Sequence, residues 1–395
     1  VSKLTVDQLD LSGRRVFLRV DFNVPLAAGR VADDTRITAA LPTVQHCFKA
    51  GASVVLASHL GRPKGKPDPA YSLAPVAARL EQILGQPVPL APDCVGAEVH
   101  AQARALQPGQ ALMLENLRFH AQEEANDDAF ARELAALGQA YVNDAFAAAH
   151  RAHASIDAIT RHLRPAAAGL LMAKELAALT RILGGAERPL WAILGGAKVS
   201  EKLALVENLL AHVDGVLIGG GMAFTFLASI GHGVGRSLVE PDRIEMARAV
   251  LGRARSRGVP IKLPVDAVVA AGADDPSGLR TVGIREIPAD LAGLDIGPAT
   301  VSQFQAALTG AKTVVWNGPM GVFEKEAFAA GTLGVAKAVG ECGAFAVVGG
   351  GDTVAAIQRA GVTARIGYIS TAGGAFLEFL EGRELPGVAA LDDRD

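Results

Sequence analysis

Short apolar runs rich in Val, Ile and Leu recur along the whole chain, each closed by a glycine, proline or polar loop. In the first half they are Val16–Val20, Ser53–Ala57, Ala111–Leu114 and Ala140–Val142. In the second they are Leu190–Leu194, Gly215–Ile218, Thr313–Val315, Phe345–Val348 and Ile366–Ile369. Helix-like stretches such as Ala74–Leu84 and Glu201–Ala211 lie between them. This alternation predicts an α/β fold with two doubly wound, Rossmann-like parallel-sheet domains, each sheet covered on both faces. Arg164-Pro165 followed by the small residues Ala166–Gly169 reads as a linker, and Leu170–Leu183 as a hinge helix joining the lobes. The expected domains are therefore 1–169 and 170–386, the second including the hinge helix, with a short tail 387–395 after Pro386.

Composition narrows the function classes. The 395 residues are 50 % apolar, enough for a core in each of two or three domains. The formal net charge of −3, from 38 basic and 41 acidic residues, leaves no basic stripe for nucleic acid, so any anion must be bound locally. Cys47, Cys94 and Cys342 are far apart and odd in number. That spacing suits neither a disulfide framework nor a zinc site and predicts a reducing, cytoplasmic compartment. Ser2–Asp10 is mixed and charged, so no signal peptide is expected. Gly215–Gly235 lacks Asp, Glu, Lys and Arg, but it holds His232 and is broken at Gly219, Gly220 and Gly221. It reads as strand, turn and core helix rather than a membrane span.

Ligands of open α/β sheets sit at the carboxyl ends of the strands, and those ends differ between the halves. In the first half they carry Asp21 and Asn23, His59 and Arg62, Glu115 and Arg118, then Asp144, His150 and Arg151. In the second they carry Gly195-Gly196, Gly219–Gly221, Gly318, Gly349–Gly351 and Gly373-Gly374, where bare backbone can approach a polyphosphate. One half is built for a compact anion and the other for a nucleotide.

Arg36, Arg62, Arg118 and Arg151 offer planar forks that bind carboxylate and phosphate bidentately and stay charged. Each alone reads better as a surface or ion-pairing arginine; four near successive strand ends argue for one anion site, with His59 and His150 beside them. Gly195–Lys202 follows a strand and is expected to open a helix from which Lys198 and Lys202 project together toward a phosphate. Its plain alternative is a tight turn with two solvated lysines, and no G-x-x-x-x-G-K-[ST] P-loop occurs. In Gly349–Thr353, Asp352 falls near a helix N-terminus, where it either caps the helix or holds Mg²⁺. Ser370–Gly374 opens a further helix whose free N–H groups suit a phosphoryl group in transfer.

At these residues the chain resembles the phosphoglycerate kinase family, from about Leu9 to Leu391. The resemblance rests on RVDFNVP (Arg19–Pro25), SHLGRP (Ser58–Pro63), LENLRF (Leu114–Phe119) and AHRAHAS (Ala149–Ser155) in the first half. In the second it rests on GGAKVSEK (Gly195–Lys202), GGGMAFTF (Gly219–Phe226), WNGPMGVFE (Trp316–Glu324) and GGGDT (Gly349–Thr353). It implies reversible phosphoryl transfer between 1,3-bisphosphoglycerate with ADP and 3-phosphoglycerate with ATP. It places 3-phosphoglycerate against Asp21, Asn23, Arg36, His59, Arg62, Arg118, His150 and Arg151. The nucleotide would meet Lys202, Gly293, Leu294, Asn317, Pro319, Glu324, Gly350, Gly351, Asp352 and Thr353, with Mg²⁺ on Asp352. Arg36, Lys198, Gly373 and Gly374 would surround the transferring group. The resemblance also implies a tail that returns to the first lobe and a cytoplasmic monomer. Two departures stand out: Ala147 and Ala148 replace a glycine and a threonine in the substrate loop, and Ala372 replaces a glycine, at a cost of roughly 1 kcal/mol if that position needs positive φ.

A carboxylate acceptor is already ionised at neutral pH, so no general base is required. Catalysis would rest on positioning, charge neutralisation and closure of two lobes that excludes water. Two alternatives are a dinucleotide oxidoreductase, which lacks its G-x-G-x-x-G signature here, and a scaffold that kept the fold, against which Arg36, Lys198 and Asp352 argue.

Overall fold

The computed structural model describes residues 2–394. It divides into two units, one of residues up to Ala177 together with Glu384 onward, the other Ala178–Arg383.

In the first unit, β1 (Arg15–Arg19), β2 (Ser53–Ala57), β3 (Ala111–Met113), β4 (Ala140–Asn143) and β5 (Ala166–Ala168) form one sheet in the order β3-β2-β1-β4-β5. Every pairing is parallel, with Val16 opposite Val54 and Ala140. The helix α1 (Thr35–Lys49) lies between β1 and β2 in the chain, and the predicted helix at Ala74–Leu84 is present with those bounds. Val16, Leu18, Val54, Leu56, Ile37 and Val44 meet in one core, buried because the sheet has no solvent face.

The expected linker is corrected. Ala166–Ala168 is a fully buried edge strand, in register with Tyr141–Asn143. Alanine is a poor strand former, so the segment carries no strand signal of its own. The segment from Glu384 belongs to the same unit: Asp392 N donates to Ala166 O at 2.9 Å and Gly387 N to Ala149 O at 2.8 Å. The helix α2 (Leu170–Gly184) begins in this unit and runs into the second.

In the second unit, β6 (Leu190–Leu194), β7 (Gly215–Ile218) and β8 (Ile261–Lys262) come first. An antiparallel trio follows, β9 (Asp266–Ala270), β10 (Arg280–Gly283) and β11 (Ala292–Ile296), then β12 (Thr313–Asn317), β13 (Phe345–Gly349) and β14 (Tyr368–Ser370). The main sheet runs β8-β7-β6-β12-β13-β14, all parallel, and the trio runs β10-β9-β11. In sequence rank the main order is 3-2-1-4-5-6, the doubly wound order, and the first unit follows it as far as five strands. Both sheets therefore reverse direction beside their first strand, and a crevice opens there at the strand ends: after β1 and β4 in one unit, after β6 and β12 in the other.

The predicted helix at Glu201–Ala211 is shorter, α3 (Leu203–Leu209). The strand expected at Ile366–Ile369 is displaced to Tyr368–Ser370, because Thr363–Arg365 forms a 3-10 turn. Two further helices matter for the site, α4 (Gly351–Arg359) and α5 (Gly374–Leu380). Among the described residues no helix is long and apolar enough to cross a membrane.

Candidate active site

The first crevice gathers the cations. Asp21, two residues beyond β1, pairs with Arg36 in the first turn of α1. Asn23 Oδ1 accepts from Gly61 N at 2.9 Å, and Gly61 O in turn accepts from Arg118 Nη1 at 2.8 Å. Arg118 is only 6 % exposed and stands 3.4 Å from Glu124. Arg151 donates to His150 Nε2 at 3.1 Å, while Arg62 is exposed on the loop after β2. His59 is buried, and its Nδ1 faces Arg19 Nη2 at 3.2 Å. Burial first, then the positive fields of Arg19, Arg118, His153 and Arg36, hold its pKa well below the usual range. His59 is therefore a neutral ring among cations.

Beneath this surface lies a relay that the sequence did not reveal. Arg19 is fully buried; its Nε donates to Ser155 Oγ at 2.8 Å, and Ser155 Oγ donates to Glu123 Oε1 at 2.6 Å. Glu123 Oε2 also accepts from Ser155 N at 2.9 Å, and Tyr141 OH donates to Ser155 O at 2.8 Å. Glu123 is fully buried and burial raises its pKa, although Arg19 and Ser155 oppose the shift. Arg19, a charge inside the apolar run Val16–Val20, was the one visible signal. Glu123 had none, because it looks like any acid on a short helix.

At the end of β4, Asp144 accepts from Leu171 N at 2.9 Å and Met172 N at 3.1 Å, which caps α2. Thr43 Oγ1 of α1 accepts from Leu170 N at 3.0 Å. A Cβ at Gly169 would fall 2.1 Å from Asp144 Oδ1, so only glycine allows this packing. Burial pushes the Asp144 carboxyl up to about 6. The loop in which Ala147 and Ala148 depart from the family pattern is a 3-10 turn, Phe146–Ala148.

The second crevice opens on a cavity of about 500 Å³. Its lining includes the predicted Gly293, Leu294, Pro319, Glu324 and Asp352, together with Gly196, Gly220 and Phe224. A Cβ at Gly293 would lie 2.1 Å from the Phe224 ring, so bare backbone is required on this wall. Asn317 ties the deeper groups together. Its Oδ1 accepts from Lys202 Nζ and its Nδ2 donates to Gly349 O at 2.7 Å. Thr353 is buried with its hydroxyl accepting from Gly318 N at 2.8 Å. Gly350 holds φ +94°, and a Cβ there would meet Asn317 Nδ2 at 2.9 Å. Asp295, also in the wall and not anticipated, is buried and pushed up to about 7 by desolvation.

Three local expectations are corrected. Residues 196–202 form turns and α3 starts only at Leu203, so Lys198 and Lys202 do not share a helix face. Lys198 is exposed in the loop, whereas Lys202 is buried and its pKa is lowered to about 8 by desolvation. Asp352 occupies the first turn of α4 behind its N-cap Gly350 and makes no capping bond. Ala372 is not among the described non-glycine residues with positive φ, which are Ala28, Lys64 and Asn126, so its expected strain does not arise. Gly373 is the N-cap of α5 and Gly374 its first residue.

The model of the phosphoglycerate kinase family matches residues 6–383. The chain is 54 % identical over 394 residues to the phosphoglycerate kinase of Moorella thermoacetica, and 54 % identical over 400 residues to that of Acaryochloris marina, with all of both chains covered in each case. The solved phosphoglycerate kinase of Coxiella burnetii superposes with a TM-score of 0.91 at 41 % identity, over 98 % of each chain. That of Pyrococcus horikoshii gives 0.84 at 35 % identity, again over 98 % of each. Two doubly wound sheets, a cation-lined and a glycine-lined crevice, and full-length similarity lead to one conclusion: the chain belongs to the phosphoglycerate kinase family, a glycolytic phosphotransferase with a carboxyl group as acceptor.

Proposed function

We propose that the two switch-point crevices divide the reaction, 3-phosphoglycerate or 1,3-bisphosphoglycerate binding in the first unit and Mg-ATP or Mg-ADP in the second. The observation that carries this reading is the opposite chemistry of the two crevices. One holds Arg36 on Asp21 and Arg118 on Gly61, with a buried, neutral His59 within their fields and Arg151 within that of Arg118. The other is a roomy cavity walled by glycine backbone, Leu294 and Pro319.

Arg62, Arg118, Arg151, His150 and Asn23 hold the acid and the phosphate it already carries. His59 acts from behind, because its ring is enclosed. Asp21 keeps the Arg36 fork in place through their ion pair, and Arg36, Lys198 and the amides of Gly373 and Gly374 meet the group in flight. Neutralising charge on that group is the main catalytic effect available, since the acceptor carboxylate needs no base. Lys202, Asn317 and the Gly350–Thr353 turn hold the polyphosphate, while Gly293, Leu294, Pro319 and Glu324 border the rest of the nucleotide.

The family generally works on a magnesium nucleotide, and the donors here fit one: Asp352 is an exposed carboxylate at the cavity, free of any capping bond. Mg²⁺ takes one or two carboxylates and completes its octahedron with phosphate oxygens and water; bound there, it neutralises phosphate charge. The working form is a cytoplasmic monomer. The test is Asp352→Ala, with turnover measured in magnesium and nucleotide binding measured with and without it. Magnesium-dependent turnover should fall far more than metal-free binding. Equal losses would leave Asp352 only a structural role.

A further inference from the structure

Asp93 and Cys94 follow a segment laid along β3: Ala91 N donates to Met113 O at 2.8 Å and Met113 N to Pro89 O at 2.9 Å. His120 closes the 3-10 turn Leu117–Phe119, a few residues beyond the same strand, and its ring stacks on Phe130 with centroids 5.2 Å apart. One strand thus fixes both segments. A carboxylate oxygen of Asp93, the Cys94 sulfur and a His120 ring nitrogen all lie within 4.8 Å of one another. His120 Nε2 already faces Asp93 Oδ1 at 2.7 Å. Cys94 is buried, whereas the side chains of His120 and Asp93 are 25 % and 44 % exposed. The cluster therefore has a closed floor and an open lip.

We propose that Asp93, Cys94 and His120 form a site for a thiophilic divalent cation of the Zn²⁺ class, separate from the magnesium assigned to Asp352. Zn²⁺ binds sulfur at about 2.3 Å and nitrogen or oxygen at about 2.0–2.2 Å, so tetrahedral ligands stand roughly 3.3–3.7 Å apart. The widest pair need contract by no more than about 1.5 Å, while the His120–Asp93 pair, now at 2.7 Å, opens to the same spacing, and water at the exposed lip supplies the fourth ligand. Sulfur and imidazole together select this class over Mg²⁺, which demands oxygen ligands. On binding, the thiol proton leaves to solvent as the metal–sulfur bond forms, and His120 keeps its proton on the ring nitrogen turned away from the metal. Cysteine spacing hides such a site, because it uses one cysteine and borrows its other ligands from Asp93 and His120.

The test uses Co²⁺ as an optical stand-in on the full-length protein. Co²⁺ should produce a thiolate-to-metal charge-transfer band that Zn²⁺ displaces. Calorimetry in buffers of different ionisation enthalpy should find about one proton released per metal. Cys94→Ser should abolish the band, and Cys342→Ser and Asp352→Ala should keep it. His120→Gln, a change at a partly exposed position that leaves the core alone, should weaken Co²⁺ binding by at least about tenfold, the loss that even outer-shell changes produce. The absence of a thiolate band at a large excess of Co²⁺, its survival in Cys94→Ser, or unchanged affinity in His120→Gln would each overturn the proposal.

Discussion

At the scale of the residue, two arginines that composition cannot separate are asked to do different work. Arg62 is exposed and, in the proposed reading, meets a phosphate present before and during transfer, so Arg62→Ala should raise the KM for 3-phosphoglycerate roughly tenfold to a hundredfold and spare kcat. Arg36 is held by Asp21 and is proposed to meet charge that develops only in transfer. Arg36→Ala should lower kcat by about a hundredfold to a thousandfold. Steady-state kinetics of both variants would check the assignment; a KM effect alone at Arg36 would make it a second substrate clamp. Lys202 adds a pH signature. Burial lowers its pKa to about 8, and a polyphosphate beside it must raise that value again. Below pH 8 the lysine is already charged and nucleotide affinity should be flat. Above it binding must take up a proton, so the Kd should rise tenfold per pH unit until the complex itself titrates. Lys202→Arg stays charged and should lose the slope, which calorimetry across pH would show.

At the scale of the element, one buried carboxylate behind the first crevice holds the start of α2 and another holds a buried arginine through a serine. Asp144 caps α2 although its carboxyl is pushed up to about 6 from an unfolded value near 3.8. Because the folded state binds that proton more tightly, its contribution is fully present below the unfolded value and is lost as pH rises through 6. Asp144→Asn keeps an acceptor for the amides without the buried charge. Urea unfolding should therefore show wild type losing stability relative to the variant between about pH 4 and 6, with a constant difference above; parallel curves would refute this. Glu123 is the opposite case, since its removal strands a buried Arg19. Glu123→Ala should cost about 3–5 kcal/mol in the same experiment. Legibility follows the same physics. Ser53–Ala57, Leu190–Leu194 and Gly215–Ile218 were readable to the residue because apolar runs rich in β-branched residues suit buried parallel strands. Ala166–Ala168 was not, because alanine carries no strand signal. The loop before α3 read as helix because Lys198 and Lys202 have helical spacing, whereas the chain keeps turning after Gly195-Gly196 until Leu203.

At the scale of the whole molecule, one architecture is used twice with different edges. The two sheets share a strand order, so both crevices follow from topology, and only the residues at the strand ends decide what each accepts. Those residues were legible as motifs, which is why the cations and glycines stood out in the sequence. The relay under them was not, because Arg19, Ser155 and Glu123 are distant in the chain and meet only in the fold. In the proposed division of the reaction, the acid and the nucleotide have separate sites on separate units. Calorimetric titration of 3-phosphoglycerate and of Mg-ADP into wild type, Arg62→Ala and Asp352→Ala tests it most directly. Arg62→Ala should weaken only the acid and Asp352→Ala only Mg-ADP, each by roughly tenfold or more. A variant that weakened both ligands equally would contradict the division of labour.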